Sequence, residues 1–152
     1  MKRVPLNKEV ILDRIRIIER SFHKLTEFKD IGLEDFKSGE NFAIAEHYLR
    51  RALEAVFDIG NHIISRIPGV RASSYKEIAL ILGRYNIVSE EFVRDKLVKM
   101  AGYRNRLVYF YSEVTEEEMY EIIQTELTDL EEFISRIKVL LENPEKYGFS
   151  LT

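Results

Sequence analysis

Residues 45–67 read AEHYLRRALEAVFDIGNHIISRI, and this stretch indicates the fold class. Apolar residues recur along it at intervals of three and four, the spacing that places them on one face of an α-helix. The residues of that face are Ala45, Leu49, Ala52, Val56, Ile59 and Ile63. The helix is predicted to stop at Ile67, because the proline that follows disfavours helical geometry in the residue before it.

The same periodicity continues on both sides of this stretch and predicts four more helices, over about 8–25, 74–82, 89–107 and 115–141. Each begins beside a side chain that can cap its N-terminus: Asn7, Ser74, Ser89 and Thr115. A loop or short turn is predicted at 28–41. Strand-like alternation is absent over any useful length. The expected fold class is therefore all-α, an antiparallel bundle of about five helices.

Length and composition limit the kinds of protein that are possible. The 152 residues suit one domain, predicted over 1–143, with a short C-terminal tail at 144–152 that is expected to fray. The absence of cysteine excludes thiolate nucleophiles, iron–sulfur clusters and cysteine zinc sites, and three histidines leave little room for a multi-histidine metal centre. No metal or cofactor is therefore predicted. The net charge of -3 argues against indiscriminate binding of nucleic acid.

Nothing in the sequence predicts export or a membrane. The first twenty residues interrupt their apolar positions with charges and lack a signal-peptide cleavage site. No run approaches the roughly 18 apolar residues of a membrane span. A cytoplasmic location without a membrane partner is the expectation.

Charge is distributed unevenly along the second half of the chain. Residues 94–106 hold five basic residues and one acid, whereas 113–132 hold nine acids and no base. Each run is expected to be a solvated helix face. Alternatively, the basic run could bind phosphate or RNA while the acidic run repels it.

The most unusual segment is Gly102–Tyr111, GYRNRLVYFY, which places two arginines, an asparagine and three tyrosines within nine residues. Arg104 falls on the apolar stripe of the predicted fourth helix, where a buried and unpaired charge would be very costly. Either its head reaches water while its stem packs, or the end of the stripe opens into a cleft or a subunit interface. The tyrosines could pack at a dimer seam or stack on bases.

This segment resembles the signature of HepT-like proteins in the HEPN superfamily, which usually reads R-N-x-x-x-H-x-Y. The likeness extends over about residues 7–141, including 53–64, 74–78 and 99–102. The resemblance implies a helical homodimer with the motif in the cleft between subunits. It also implies a metal-independent ribonuclease that acts as the toxin of a toxin–antitoxin pair. The implied partner is a nucleotidyltransferase of the MNT type, which neutralises the toxin by attaching AMP to the motif tyrosine.

Transferred by position, the resemblance assigns roles to single residues. Arg104 matches the family arginine and would hold the scissile phosphate of RNA. Asn105 and Arg106 would position the substrate. Tyr111 matches the tyrosine that accepts AMP. The family histidine falls on Tyr109, which is predicted to be catalytic in its place.

The tyrosine in place of histidine decides between the hypotheses for this chain. Imidazole titrates near pH 6.5 and phenol near pH 10, so a tyrosine is a poor base at neutral pH, although it can donate a proton. Arg104 and Tyr109 are also about 140° apart around a helix, so the helix must end near them or a second subunit must supply one group. Asp58 or His62 could assist if their helix packs against the motif; otherwise His62 is an ordinary helix-flank residue.

Three functions remain open on this basis. The first is a HepT-like toxin that cleaves RNA. The second is a catalytically weak or inactive HEPN binding module, which keeps the dimer and the nucleotidyltransferase partner but lacks efficient cleavage. The third is a plain structural bundle in which the arginine and tyrosines only pack.

Overall fold

The structure is a computed structural model that describes residues 2–109 and 114–152. Its helices are α1 (Lys8–Thr26), α2 (Leu33–Lys37), α3 (Asn41–Ser65), α4 (Tyr75–Arg84), α5 (Glu90–Phe92), α6 (Val98–Val108), α7 (Glu116–Thr125) and α8 (Thr128–Glu142). Its strands are β1 (Val4–Leu6) and β2 (Phe149–Leu151). The predicted all-α bundle is confirmed. Within the described ranges, no helix is both long enough and apolar enough to span a bilayer.

The long helix α3 forms the centre of the bundle. Its apolar stripe is buried as predicted, and it packs against α1, α4 and α6. Helix α1 runs antiparallel to it. Two hydrogen bonds show this direction: the backbone amide of Asn7 donates to His62, and the side chain of Arg14, further along α1, donates to Asp58, earlier in α3. Gly60 allows α4 to approach closely, since a Cβ at that position would lie 2.6 Å from Cγ2 of Ile78.

Side-chain caps begin four of the helical segments, as predicted. Asn7 Oδ1 accepts a hydrogen bond from the amide of Val10 at 3.2 Å. The hydroxyls of Ser74, Ser89 and Thr115 accept bonds of 3.1, 3.0 and 3.1 Å from amides three residues later. Each cap satisfies a backbone donor that the helix itself leaves without a partner.

Two details of the helix prediction are wrong. The predicted helix over 115–141 is two helices, α7 and α8, which meet at Glu126 and Leu127. Leu127 is buried and continues the apolar stripe through the break, which is why periodicity alone does not reveal it. The predicted loop at 28–41 contains the short helix α2, whose Phe36 is fully buried.

The predicted helix over 89–107 contains a turn of different geometry. Residues Val93–Leu97 form a π-helical turn between α5 and α6, in which the amide of Val98 bonds to the carbonyl of Val93, five residues earlier. The chain is helical on both sides of this turn, so α5, the π-helical turn and α6 follow one another without a loop.

The C-terminal tail does not fray, contrary to expectation. A short 3₁₀ helix, Pro144–Tyr147, leads into β2, which pairs in parallel with β1 so that Val4 lies opposite Phe149 and Leu6 opposite Leu151. Phe149 is 2% exposed and belongs to the core. Because these strands have only three residues each, they are too short to show an alternating pattern.

Candidate functional site

Arg104 is held by aromatic packing between three helices. It projects from α6, and its Cζ lies 4.3 Å from the ring centroid of Tyr75, the first residue of α4. The Tyr75 ring in turn contacts Phe57 of α3, with centroids 5.2 Å apart. Phe57 is 1% exposed, so the guanidinium rests on a ring that is itself fixed against the core.

The guanidinium of Arg104 also has unused hydrogen-bonding capacity. Its Nε is buried and has no hydrogen-bond partner among the described residues. A buried donor without a partner is costly and is rare in native proteins. Arg104 is therefore a half-buried arginine on an apolar stripe, with one shielded donor that no described residue satisfies.

Helix α6 ends just before Tyr109. Its last residue is Val108, and Tyr109 has extended backbone angles, φ -97° and ψ 123°. The amide of Tyr109 still bonds to the carbonyl of Asn105 at 3.1 Å. The change of backbone direction therefore affects the chain after Tyr109, and Arg104 is not among the described residues that line the cavity beside Tyr109. Tyr111 lies outside the described residues.

Tyr109 borders an open cavity of about 340 Å³ between the end of α6 and the start of α3. We call it the motif cavity, and it is lined by Phe42, Glu46, Arg50, Arg106, Leu107, Val108, Tyr109 and Val114. The Tyr109 side chain is 47% exposed there, whereas the Asn105 side chain is half-buried. The cavity combines cationic and aromatic groups, which is a suitable lining for a nucleotide.

Arg106 ties the motif helix to α7. Its Nη1 and Nη2 donate to Oε2 and Oε1 of Glu118, both at 2.6 Å, in a two-pronged ion pair. Glu118 is also the residue whose amide is capped by Thr115, so its backbone is fixed as well. Hydrogen bonding from Arg106 lowers the pKa of Glu118 below its usual value. Arg106 therefore fixes the end of α6.

We expect Glu118→Gln to lower the free energy of unfolding by about 1 kcal/mol at neutral pH, because one half-buried charge pair is lost. A lowered folded-state pKa gives stability that is present above the unfolded-state value and lost as pH falls through the folded-state value. The difference between wild type and variant should therefore shrink below about pH 4. Urea denaturation at pH 7 and at acid pH measures it.

Glu117→Gln is the matched control for this prediction. Glu117 lies on the same turn of α7 and pairs with Lys37 at 2.6 Å, but its side chain is 59% exposed. Exposed pairs contribute little, so we expect a change below about 0.5 kcal/mol. Equal losses in the two variants would contradict a special role for the Arg106–Glu118 pair.

Tyr103 lies in different surroundings from Tyr109. Its hydroxyl donates to Glu126 at 2.9 Å, and Lys99 pairs with the same carboxylate at 2.8 Å. Burial and the hydrogen bond to Glu126 raise the pKa of Tyr103 to about 12, so the phenol stays protonated at neutral pH. Tyr103 thus fastens α6 to the α7–α8 junction through its hydroxyl.

The basic and acidic runs pair with each other, which neither reading of the sequence anticipated. Lys96 reaches Asp129 at 3.6 Å, and the pairs of Lys99 with Glu126 and Arg106 with Glu118 complete the series. Three of the five basic residues of the run are therefore paired with acids of the second run. Adjacent runs of opposite charge on neighbouring predicted helices are the signal that could have indicated this pairing.

The two candidate auxiliary residues of α3 bond to the N-terminal part of the chain. His62 Nε2 accepts a hydrogen bond from the amide of Asn7 at 3.1 Å, and Asp58 accepts one from Arg14 at 3.2 Å. Burial and the nearby charge of Arg66 lower the pKa of His62, which favours the neutral ring that this bond requires. Within the described ranges, no three His, Asp or Glu side chains converge as metal ligands.

Comparison with known proteins finds a family and relatives that match most of the chain. Residues 12–137 match the ribonuclease HepT-like family. The tRNA nuclease HepT of Aphanizomenon flos-aquae is 28% identical over 133 residues, which are 87% of this chain and 90% of that protein.

Solved structures show the same fold. The tri-AMPylated HEPN toxin of Shewanella oneidensis, in complex with MNT antitoxin, is 28% identical with a TM-score of 0.78, covering 87% of this chain and 98% of that one. YutE of Bacillus subtilis, described as a cytosolic protein of unknown function, is 27% identical with a TM-score of 0.77, covering 91% and 93%. With its R-N-x-x-x-Y-x-Y motif on α6 and beyond, this chain belongs to the HepT-like family of HEPN proteins.

Proposed function

We propose that this chain is the toxin of a toxin–antitoxin pair and a metal-independent ribonuclease, with its site in the cleft of a homodimer. The observation that carries the proposal is Arg104: its guanidinium rests on Tyr75, and its Nε is buried without a partner among the described residues. Membership of the HepT-like family and the likeness to a tRNA nuclease support RNA as the substrate.

In this proposal Arg104 binds the scissile phosphate. A planar guanidinium can donate two parallel hydrogen bonds to phosphate oxygens and stabilise the negative charge that grows in the transition state. Stacking on Tyr75 limits the orientations of the side chain before substrate arrives. Asn105 and Arg106 position the RNA, with Arg106 itself fixed by Glu118.

The cleavage step is an attack by the ribose 2′-OH on phosphorus. A P–O2′ bond forms, the P–O5′ bond breaks, the 2′-OH loses its proton, and the leaving 5′ oxygen gains one. Tyr109 is suited to the second proton transfer, because a phenol donates more readily than it accepts at neutral pH. Water or a group of the second subunit takes the first proton, while Asp58 and His62 remain auxiliary candidates that are bonded to Arg14 and Asn7 in this structure.

The proposed partner is an MNT-type nucleotidyltransferase that transfers AMP from ATP to Tyr111. The phenol oxygen attacks the α-phosphorus of ATP, pyrophosphate leaves, and the phenol proton passes to solvent. The complex of the Shewanella oneidensis toxin with MNT antitoxin supports this, since that toxin is AMPylated. Such a modification would add negative charge to the motif and repel RNA phosphate. As YutE is described as cytosolic, we place the pair in the cytoplasm.

Incubation of the purified chain with an MNT-type enzyme and ATP tests the modification. Intact-mass spectrometry is expected to show AMP adducts on the wild type, with peptide mapping to Tyr111. Tyr111→Phe should remove the adduct, because the accepting hydroxyl is absent. Tyr109→Phe is the matched control and should keep it. An adduct that survives in Tyr111→Phe would exclude Tyr111 as the acceptor.

A second function is favoured by one specific residue, the tyrosine at the histidine position of the motif. A site without an efficient base would bind RNA and the nucleotidyltransferase while cleaving slowly. Incubation of RNA with the purified protein in the presence of a chelator separates the two functions. Cleavage products support the ribonuclease, and their absence with every RNA tried supports the binding module.

A further inference from the structure

A second cationic site lies outside the motif. It is an open cavity of about 270 Å³ between α1 and α3. We call it the α1–α3 basic cavity, and the side chains that define it are Arg16, Arg20, Ser21, His47 and Arg51. The Arg16 side chain is 62% exposed, and Arg20, His47 and Arg51 are also exposed, so the charges are open to a large ligand.

The sequence spacing explains why these charges converge. Arg16 and Arg20 are four residues apart on α1, and His47 and Arg51 are four apart on α3, so each pair occupies one helix face. The one acid in the lining is Asp13, which is 2.8 Å from Arg14 and 3.8 Å from Arg16. Three arginines against this acid leave a positive site.

The lining of this cavity includes one buried polar residue of α1, Ser21. Ser21 is 1% exposed and, with Asp129, is one of two buried polar or charged residues in the described part of the chain. It replaces the apolar residue that this face of α1 otherwise carries, because Ile11, Ile15 and Ile18 are buried. Because Ser21 is almost fully buried, the exposed arginines supply the donors that a phosphate group can reach.

The α1–α3 basic cavity adjoins the motif cavity across one helix. Glu46 and Arg50 line the motif cavity, and the next residue in each case, His47 and Arg51, lines the basic cavity. The two sites are thus on adjacent faces of the same turns of α3, separated by about the 10–12 Å width of a helix. One nucleic-acid strand could contact both.

We infer that the α1–α3 basic cavity binds the phosphodiester backbone of RNA beside the bond that is cleaved, an inference that rests on the proposed function. The arginines supply paired donors and positive charge to phosphate oxygens. Contacts of this kind position the strand without reading its bases. The cavity therefore selects for a chain of several nucleotides over a mononucleotide.

The test uses the full chain and a fluorescently labelled, fully 2′-O-methylated RNA oligonucleotide, which binds but cannot undergo attack by the 2′ oxygen. Anisotropy is measured at several salt concentrations. The triple variant Arg16→Gln, Arg20→Gln, Arg51→Gln is expected to bind at least tenfold more weakly. The slope of log K against log salt should fall by about 2, since each lost contact with a single strand contributes about 0.7.

The matched control removes the same charge elsewhere, through Arg3→Gln, Arg66→Gln and Arg136→Gln, all of which are exposed. It should change affinity less than twofold. Thermal midpoints for both triples verify that the fold is intact, and the single Arg51→Glu variant, which should weaken binding on its own, provides a second reading. Equal weakening by the two triples, or none by the first, overturns the inference.

Two further measurements distinguish failure of the proposed RNA-binding cavity from failure of the proposed ribonuclease function. Free AMP should compete with the oligonucleotide only weakly, and competition as effective as that of unlabelled oligonucleotide would overturn a backbone site. If unmodified RNA is bound through these arginines but never cleaved, the ribonuclease proposal fails and the binding site stands. If RNA is cleaved and the first triple binds as wild type, the ribonuclease stands and the binding site fails.

Discussion

Replacing Arg104 with alanine should reduce the rate of RNA cleavage by about 10²–10³-fold, the usual effect of removing one preorganised donor from a transition-state site. The guanidinium is already stacked on Tyr75, and its Nε has no partner among the described residues. Little reorganisation is then needed when phosphate arrives. Initial rates with excess RNA and with excess enzyme measure the loss in kcat/KM and in the chemical step.

Two variants control for charge and for folding. Arg104→Lys keeps the positive charge but loses the planar pair of donors, so its rate should lie between wild type and alanine. Arg94→Ala removes a basic residue of the same run, one that is 72% exposed and pairs with Asp95, and should leave the rate within twofold. If Arg104→Ala cleaves as fast as Arg94→Ala, Arg104 is not catalytic.

The second large effect is a gain. Tyr109→His should raise the rate of RNA cleavage by about 10²–10⁴-fold at pH 7, because imidazole can accept as well as donate a proton there. The position permits the exchange: Tyr109 follows the last turn of α6, is 47% exposed and borders an open cavity, so a smaller ring fits. The rate should follow a titration near pH 6.5 that the wild type lacks.

Tyr109→Phe separates proton transfer from packing. It keeps the ring and removes the hydroxyl, so it should slow any cleavage that depends on donation by Tyr109. If Tyr109→His fails to increase the rate although the protein folds and binds RNA as before, the histidine account of this site is wrong. The chain would then be limited by another group, and the binding-module function would gain support.

Features of the fold that depend on neighbouring residues were predictable from the sequence. The caps at Asn7, Ser74, Ser89 and Thr115 bond to amides three residues away, and the apolar stripe of α3 repeats every turn. The break at Glu126 is different, since no glycine or proline marks it. The β1–β2 ladder joins residues that are 145 positions apart, as Val4 and Phe149 are, and long-range pairing of this kind leaves no local pattern.

In the candidate site, too, local features were predictable from the sequence and tertiary contacts were not. The position of Arg104 on an apolar stripe followed from helical geometry, as did the alternative that the helix ends near Tyr109 or a second subunit supplies one group. The partners of these residues did not, because Tyr75, Glu118 and Glu126 are brought to α6 by tertiary packing. The basic cavity between α1 and α3 is likewise formed by two i, i+4 pairs, each of which is ordinary by itself.

The π-helical turn at Val93–Leu97 has a consequence for changes in chain length. Because its closing hydrogen bond spans five residues, it contains one residue more than an α-helical turn would. A deletion within this turn can be absorbed by a return to α-helix, with Arg104 still facing Tyr75. A deletion between Val98 and Arg104 would instead rotate the arginine by about 100°. Tolerance of a single-residue deletion therefore changes abruptly at Leu97.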